Sequence, residues 1–113
     1  MSKRPLSLTD ANFEAVTAST DQPILIDFYA DWCGPCKALT PVMEELAADF
    51  EGRATIAKVD VDGAPEIAGR FNVRSIPTLV ILQSGHEVER IVGLTTKRVL
   101  AGKLDALEAT VRG

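Results

Sequence analysis

The apolar run Ile24-Leu25-Ile26-Asp27-Phe28-Tyr29 leads into Trp32-Cys33-Gly34-Pro35-Cys36, and a helical pattern from Lys37 to Phe50 follows. A β-rich run that is apolar at almost every position predicts a strand covered on both faces. Such a strand belongs in the middle of a sheet with helices above and below it. Leu39, Met43, Leu46 and Phe50 recur at helical spacing beyond it. Two thiols at the junction of a strand and a helix can close a small disulfide and open it again, which points to thiol–disulfide chemistry.

The remaining pattern fills in that architecture. Thr9 or Asp10 can cap a short helix through about Ala18, with Phe13 and Val16 on one face. Pro41 lacks the N–H that an interior helix position would use, which predicts a kink. Thr55 to Val61 reads as a strand, and Pro65 suits the first turn of a short helix through about Arg70. Thr78 to Gln83 and Glu87 to Val92 read as strands joined by Ser84-Gly85, a hairpin signal. Thr96 can cap a last helix with Leu100, Leu104, Leu107 and Val111 on its buried stripe. A short edge strand is expected near Leu6–Leu8. Early βαβ units followed by a hairpin imply an α/β fold with a mixed sheet and helices on both faces.

At 113 residues the chain predicts one domain, spanning 1–113. Its net charge is -4, and its Lys and Arg residues are scattered, with no basic run beyond Lys3-Arg4 and Lys97-Arg98. Binding to nucleic acid or to an anionic membrane is therefore disfavoured. The N-terminus lacks the apolar core of a signal peptide, and no run approaches the ~20 apolar residues of a membrane span. The expectation is a cytoplasmic chain, where a disulfide is usually catalytic or transient.

Position separates the roles of the two thiols. A cysteine at a helix N-terminus faces unpaired backbone N–H groups and the positive end of the dipole, which favour the thiolate. Cys33 precedes the helix, so it is expected to be exposed and to attack. Cys36 lies one turn in, so it is expected to be buried and to resolve the mixed disulfide. For any thiol lowered by ~1.5 units from ~8.5, the thiolate fraction at pH 7 rises about sixteenfold while nucleophilicity falls about fivefold. The net gain is only about threefold, so the larger advantage is a good leaving group with a second thiol waiting. Gly34 and Pro35 are expected to rigidify the loop without adding charge.

Three other residues break their local pattern. Asp27 interrupts an apolar strand six residues before Cys33. A desolvated carboxylate there can take and return a proton near neutral pH and serve Cys36; an edge carboxylate facing water is the blander alternative. Lys58 breaks the run Ile56-Ala57-Lys58-Val59 and can pair with Asp27 across adjacent strands, or simply snorkel. Pro77 is either a strand-start residue or a cis proline that exposes the Ile76 backbone to an extended peptide.

Other readings of the cysteines compete. Half of a zinc site needs further ligands, and the only other Cys or His is His86, placed at a hairpin where a surface histidine is the default. A static disulfide between such close neighbours would constrain little chain entropy.

The stretch Asp27-Phe28-Tyr29-Ala30-Asp31-Trp32-Cys33-Gly34-Pro35-Cys36-Lys37 resembles the signature of the thioredoxin family. Pro41, Lys58, Ile76-Pro77-Thr78, Gly85 and Gly93 are similar to that family's kink proline, buried lysine, cis-proline loop and two glycines. The resemblance implies a thioredoxin fold, a central mixed four- to five-stranded sheet flanked by four helices, with a cis Pro77. It implies a substrate-docking surface of Trp32, Gly34, Pro35, Val61, Ser75, Ile76, Pro77, Val92, Gly93 and Leu94. It also implies reduction of disulfide-containing substrate proteins and re-reduction by a flavin-dependent thioredoxin reductase using NADPH. No cofactor or metal is implied beyond the Cys33–Cys36 dithiol. A monomer is expected, with Trp32 and Ile76 in an exposed patch able to make weak dimers. Tyr29 stands where many members have tryptophan, and Ser75 where many have glycine. Two alternatives remain: a scaffold subunit whose role is independent of its thiols, and a specialised oxidase or isomerase, against which Gly34-Pro35 argues.

Overall fold

The computed structural model describes residues 4–112, with side chains described through Glu108. Its elements run β1 (Leu6–Ser7), α1 (Phe13–Ala18), β2 (Ile24–Tyr29), α2 (Gly34–Asp49), β3 (Thr55–Asp60), α3 (Pro65–Arg70), β4 (Thr78–Gln83), β5 (His86–Val92) and α4 (Lys97–Arg112). The strands form one mixed sheet in the order β1-β3-β2-β4-β5. β1, β3 and β2 are parallel, and β4 runs antiparallel to both β2 and β5.

The unbroken apolar character of β2 has the predicted cause: it is central and covered on both sides. Side chains alternate along a strand, so consecutive residues enter opposite cores. Leu25 packs with Leu39, Met43 and Leu46 of α2 and with Leu100 and Leu104 of α4. Ile24, Ile26 and Phe28 point the other way, toward Phe13 of α1 and Ile67 of α3. β4 divides likewise, Leu79 and Ile81 on the α2 side and Val80 and Leu82 on the α3 side. By the same alternation Asp27 shares the α2 face with Leu25.

The hairpin turn falls at Ser84 and Gly85, both left-handed, with φ of 51° and 82°. That pair of conformations matches the twist of the flanking strands. β5 begins at His86, one residue earlier than expected, and a bulge at Val88 shifts its register from Ile81↔Glu89 to Leu82↔Glu87. Thr96 caps α4, its Oγ1 accepting the Val99 N–H at 3.2 Å. Leu100 and Leu104 are buried and Leu107 packs against the same core, while the Val111 side chain lies outside the described residues. α2 runs continuously through Pro41.

One expectation is corrected. Thr9 or Asp10 was expected to cap α1, but its N-cap residue is Asn12, and the Asp10 carboxylate oxygens accept the N–H groups of Glu66 at 3.2 Å and Ile67 at 3.0 Å. Asp10 therefore caps α3, whose own N-cap residue Ala64 has no side chain able to do so. Ahead of α1, Thr9 and Asn12 satisfy each other instead: Thr9 N–H donates to Asn12 Oδ1 at 2.7 Å and Asn12 N–H to Thr9 Oγ1 at 3.1 Å.

Candidate active site

Cys33 occupies the N-cap position of α2, in extended conformation, with Gly34 and Pro35 opening the helix. Its sulfur is bonded to Cys36, with the two Cα atoms 5.3 Å apart. Cys33 Sγ also accepts the backbone N–H of Cys36 at 3.2 Å. A capping oxygen would normally take that position. The sulfur is thus held against the donor end of a sixteen-residue helix. Once the disulfide opens, the same donor favours a thiolate on Cys33.

Cys33 is not exposed as expected. It retains 4% of its accessible surface, and Cys36 retains 3%. In the disulfide-bonded form both pack with Ala30, and Tyr29, Val61 and Ile76 close around them. The packing of Tyr29, Val61 and Ile76 around the pair covers Cys33 as fully as Cys36, so the expected asymmetry of exposure is absent. Gly34 and Pro35 are exposed. A Cβ on Gly34 would meet no atom within 4 Å, so the fold does not require glycine there. What the missing side chain leaves is uncovered surface beside Cys33.

Asp27 lines the same cavity as Cys36. It is buried, and its Oδ1 has no hydrogen-bond partner. Together with Cys36, Lys58 and Tyr29 it lines a cavity of about 410 Å³. Burial pushes the Asp27 carboxyl up from an ordinary 3.8 to about 7, with the positive charge of Lys58 partly opposing that rise. Lys58 is the register partner of Asp27 in the β2–β3 ladder. The two act on each other through space, and no direct ion pair forms between them. The half-buried Lys58 places its ammonium 5.9 Å from the Tyr29 ring centroid.

The Ile76–Pro77 bond is cis. Ile76 is half-buried against the disulfide rather than fully exposed, while Pro77 is buried and Ser75 exposed. Gly93 N–H donates to Pro77 O at 2.8 Å, which joins the end of β5 to this loop. Gly93 has φ of 97°, a left-handed conformation that favours glycine. Trp32, Val92 and Leu94 are exposed at 71%, 61% and 58%. Val61 is half-buried and borders the cysteines.

Residues 4–106 match the Thioredoxin family. The chain belongs to the thioredoxin family. Thioredoxin 2 of Chlorobaculum tepidum is 49% identical over 105 residues, covering 93% of this chain and 96% of that protein. A Staphylococcus aureus thioredoxin is 49% identical over 100 residues, covering 88% and 94%. A solved structure of a mutant thioredoxin from Halobacterium salinarum superposes with a TM-score of 0.83 at 40% identity, covering 92% of this chain and 90% of that one. The five-stranded mixed sheet and four helices agree with that assignment. With its Cys33–Cys36 pair this member of the thioredoxin family is a thiol–disulfide oxidoreductase, a protein-disulfide reductase in activity.

Several contacts of this thioredoxin site were not legible beforehand. The indole Nε1 of Trp32 donates to Asp62 Oδ2 at 2.8 Å, across thirty positions of chain. Asp62 sits in the turn after β3, and only the return of the chain there brings it to Trp32. Pro5, Thr40, Met43 and Glu44 also line the cavity beside Asp27. Among the described residues no group of three or more His, Cys, Asp or Glu could hold a metal, and no helix is long and apolar enough to cross a membrane.

Proposed function

We propose that this protein reduces disulfides in other proteins by a two-step exchange in which Cys33 attacks and Cys36 resolves. The observation that carries the reading is the Cys33 sulfur at the α2 N-cap, accepting the Cys36 N–H at 3.2 Å. The Cys33 thiolate attacks one sulfur of the substrate disulfide, forming a mixed disulfide and expelling the other sulfur as a thiolate. Cys36 then loses its proton to the Asp27 carboxylate and attacks Cys33 Sγ. The Cys33–Cys36 disulfide forms, the second substrate sulfur leaves, and protonation completes a two-electron transfer to the substrate. The cavity shared by Cys36 and Asp27 supports Asp27 as the proton acceptor. Lys58 lowers the cost of the Asp27 charge.

Substrate docks on Trp32, Gly34, Pro35, Val61, Ser75, Ile76, Pro77, Val92, Gly93 and Leu94. The exposure of Trp32, Val92 and Leu94 supports this, as large apolar side chains left in water at a reactive site suit a protein partner. The oxidised form is returned to the dithiol by a flavin-dependent thioredoxin reductase drawing on NADPH, and the dithiol is the sole redox centre. The protein acts as a monomer in the cytoplasm.

The test is insulin-disulfide reduction with NADPH and a thioredoxin reductase, using the parent, Cys33→Ser and Cys36→Ser. The parent is expected to turn over and both variants to be inactive in the coupled cycle. Full activity in both variants would sink the dithiol mechanism.

A further inference from the structure

Lys58 has two neighbours on the α2 side of the sheet. Its Nζ lies 5.9 Å from the Tyr29 ring centroid, and its charge acts on Asp27. Asp27 and Tyr29 are two residues apart on β2 and share a face. Lys58 and Asp60 lie opposite them in register on β3. Lys58 makes no ion pair within 4 Å among the described residues, so no carboxylate holds its ammonium in place. The side chain has a flexible four-carbon stem, and it borders a cavity wide enough for the ammonium to move. The aromatic face of Tyr29 is what remains to hold it.

We infer that Tyr29 is a positioning residue, its ring holding the Lys58 ammonium near Asp27 and thereby setting the pH at which Asp27 exchanges a proton with Cys36. This rests on the proton-transfer reading of Asp27 given above. The negative face of an aromatic ring attracts an ammonium within about 6 Å of its centroid. The Tyr29 phenol is itself raised, first by burial and then by Asp60, Asp31 and Asp27, so it stays neutral and contributes only its ring. Of the other charged groups, Asp31, Lys37 and Glu44 line the cavity and Asp60 flanks it on β3. On β4 the register partner of Asp27 is the uncharged Leu79. Among all of these, Lys58 is the charge that acts on Asp27. At an effective dielectric of ~20, a drift of the ammonium by ~2–3 Å raises the carboxyl midpoint by roughly 0.5–1 pH unit.

The experiment is a ¹³C titration of the Asp27 carboxyl in the oxidised protein, paired with the pH profile of mixed-disulfide resolution. Tyr29→Phe keeps the ring and is expected to leave the midpoint where it is. Tyr29→Leu is expected to raise it by roughly 0.5–1 unit. Pentafluorophenylalanine in place of Tyr29 keeps the shape but reverses the ring's charge distribution, so it is expected to do the same. It decides the matter if the leucine variant does not fold. Lys58→Met is expected to raise the midpoint at least as far, with no further rise when Tyr29→Leu is added. Midpoints for the leucine and fluorinated variants equal to that of Tyr29→Phe would overturn the inference. So would a shift that persists undiminished without Lys58. A carboxyl midpoint that moves while the resolution profile stays in place overturns Asp27 as the proton acceptor and leaves the Tyr29–Lys58 contact standing.

Discussion

Asp27 and Lys58 face each other in the parallel β2–β3 ladder, yet no ion pair closes between them and Asp27 Oδ1 has no hydrogen-bond partner. A carboxylate left so is costly to ionise, because burial removes its water and Lys58 returns only part of the lost stabilisation. Chemistry gains from what stability loses: the group holds its proton until about neutral pH, where a thiol can exchange with it.

That cost gives a pH-dependent stability. The Asp27 carboxyl titrates at about 7 in the folded chain against an ordinary 3.8. Between those values the folded chain keeps a proton that the unfolded chain has lost. Stability therefore falls as pH rises through this window, and the whole penalty, about 4 kcal/mol, is present above about 7. Asp27→Asn is expected to raise the unfolding free energy by a few kcal/mol at pH 8 and to change it little at pH 4. Urea denaturation at both values checks this, and an equal gain at both would refute it.

The order of the two thiol steps can be read by trapping. Cys36→Ser leaves the attacking sulfur at the α2 N-cap but removes the resolving one. A mixed disulfide with substrate is expected to accumulate at Cys33 and to appear as a stable adduct by mass spectrometry. Cys33→Ser is expected to give at least tenfold less adduct, since Cys36 lies inside the helix, away from the cap. The reverse pattern would exchange the assigned roles.

Asp10 should matter to stability although it lies far along the chain from the helix it caps. Its carboxylate takes two N–H groups of α3. Asp10→Ala is expected to cost about 1–2 kcal/mol in urea or thermal unfolding, the range for a lost helix cap. Asp10→Asn should recover part of it. No loss on Asp10→Ala would mean that water replaces the cap without cost.

Trp32 is the chain's single tryptophan, so its fluorescence reports on its tether to Asp62 without interference. Asp62→Ala is expected to alter that fluorescence and to lower kcat/KM for a protein disulfide about two- to tenfold, chiefly through KM. Unchanged kcat/KM would show that the indole does not need this hydrogen bond to receive substrate.

Periodicity and short motifs carried much of this molecule. The run Ile24–Tyr29 announced a central strand because a strand covered on both faces has no polar positions to alternate. Ser84-Gly85 announced its turn, and Cys33-Gly34-Pro35-Cys36 its redox pair, because each depends on neighbours within a few residues. Asp27 and Lys58 stood out as charges inside apolar strands, where a site, an edge or a snorkelling side chain is the explanation. Long-range pairings were not readable in this way. Asp10 caps a helix fifty-six positions away, Asp62 receives an indole from thirty, and Tyr29 meets Lys58 across two strands. Cys33 is buried because Val61 and Ile76, from distant segments, pack over it. Local sequence sets dihedral preference and which face is apolar. Which polar groups then meet, and how far each is removed from water, is decided only when the sheet assembles and distant segments close over one another.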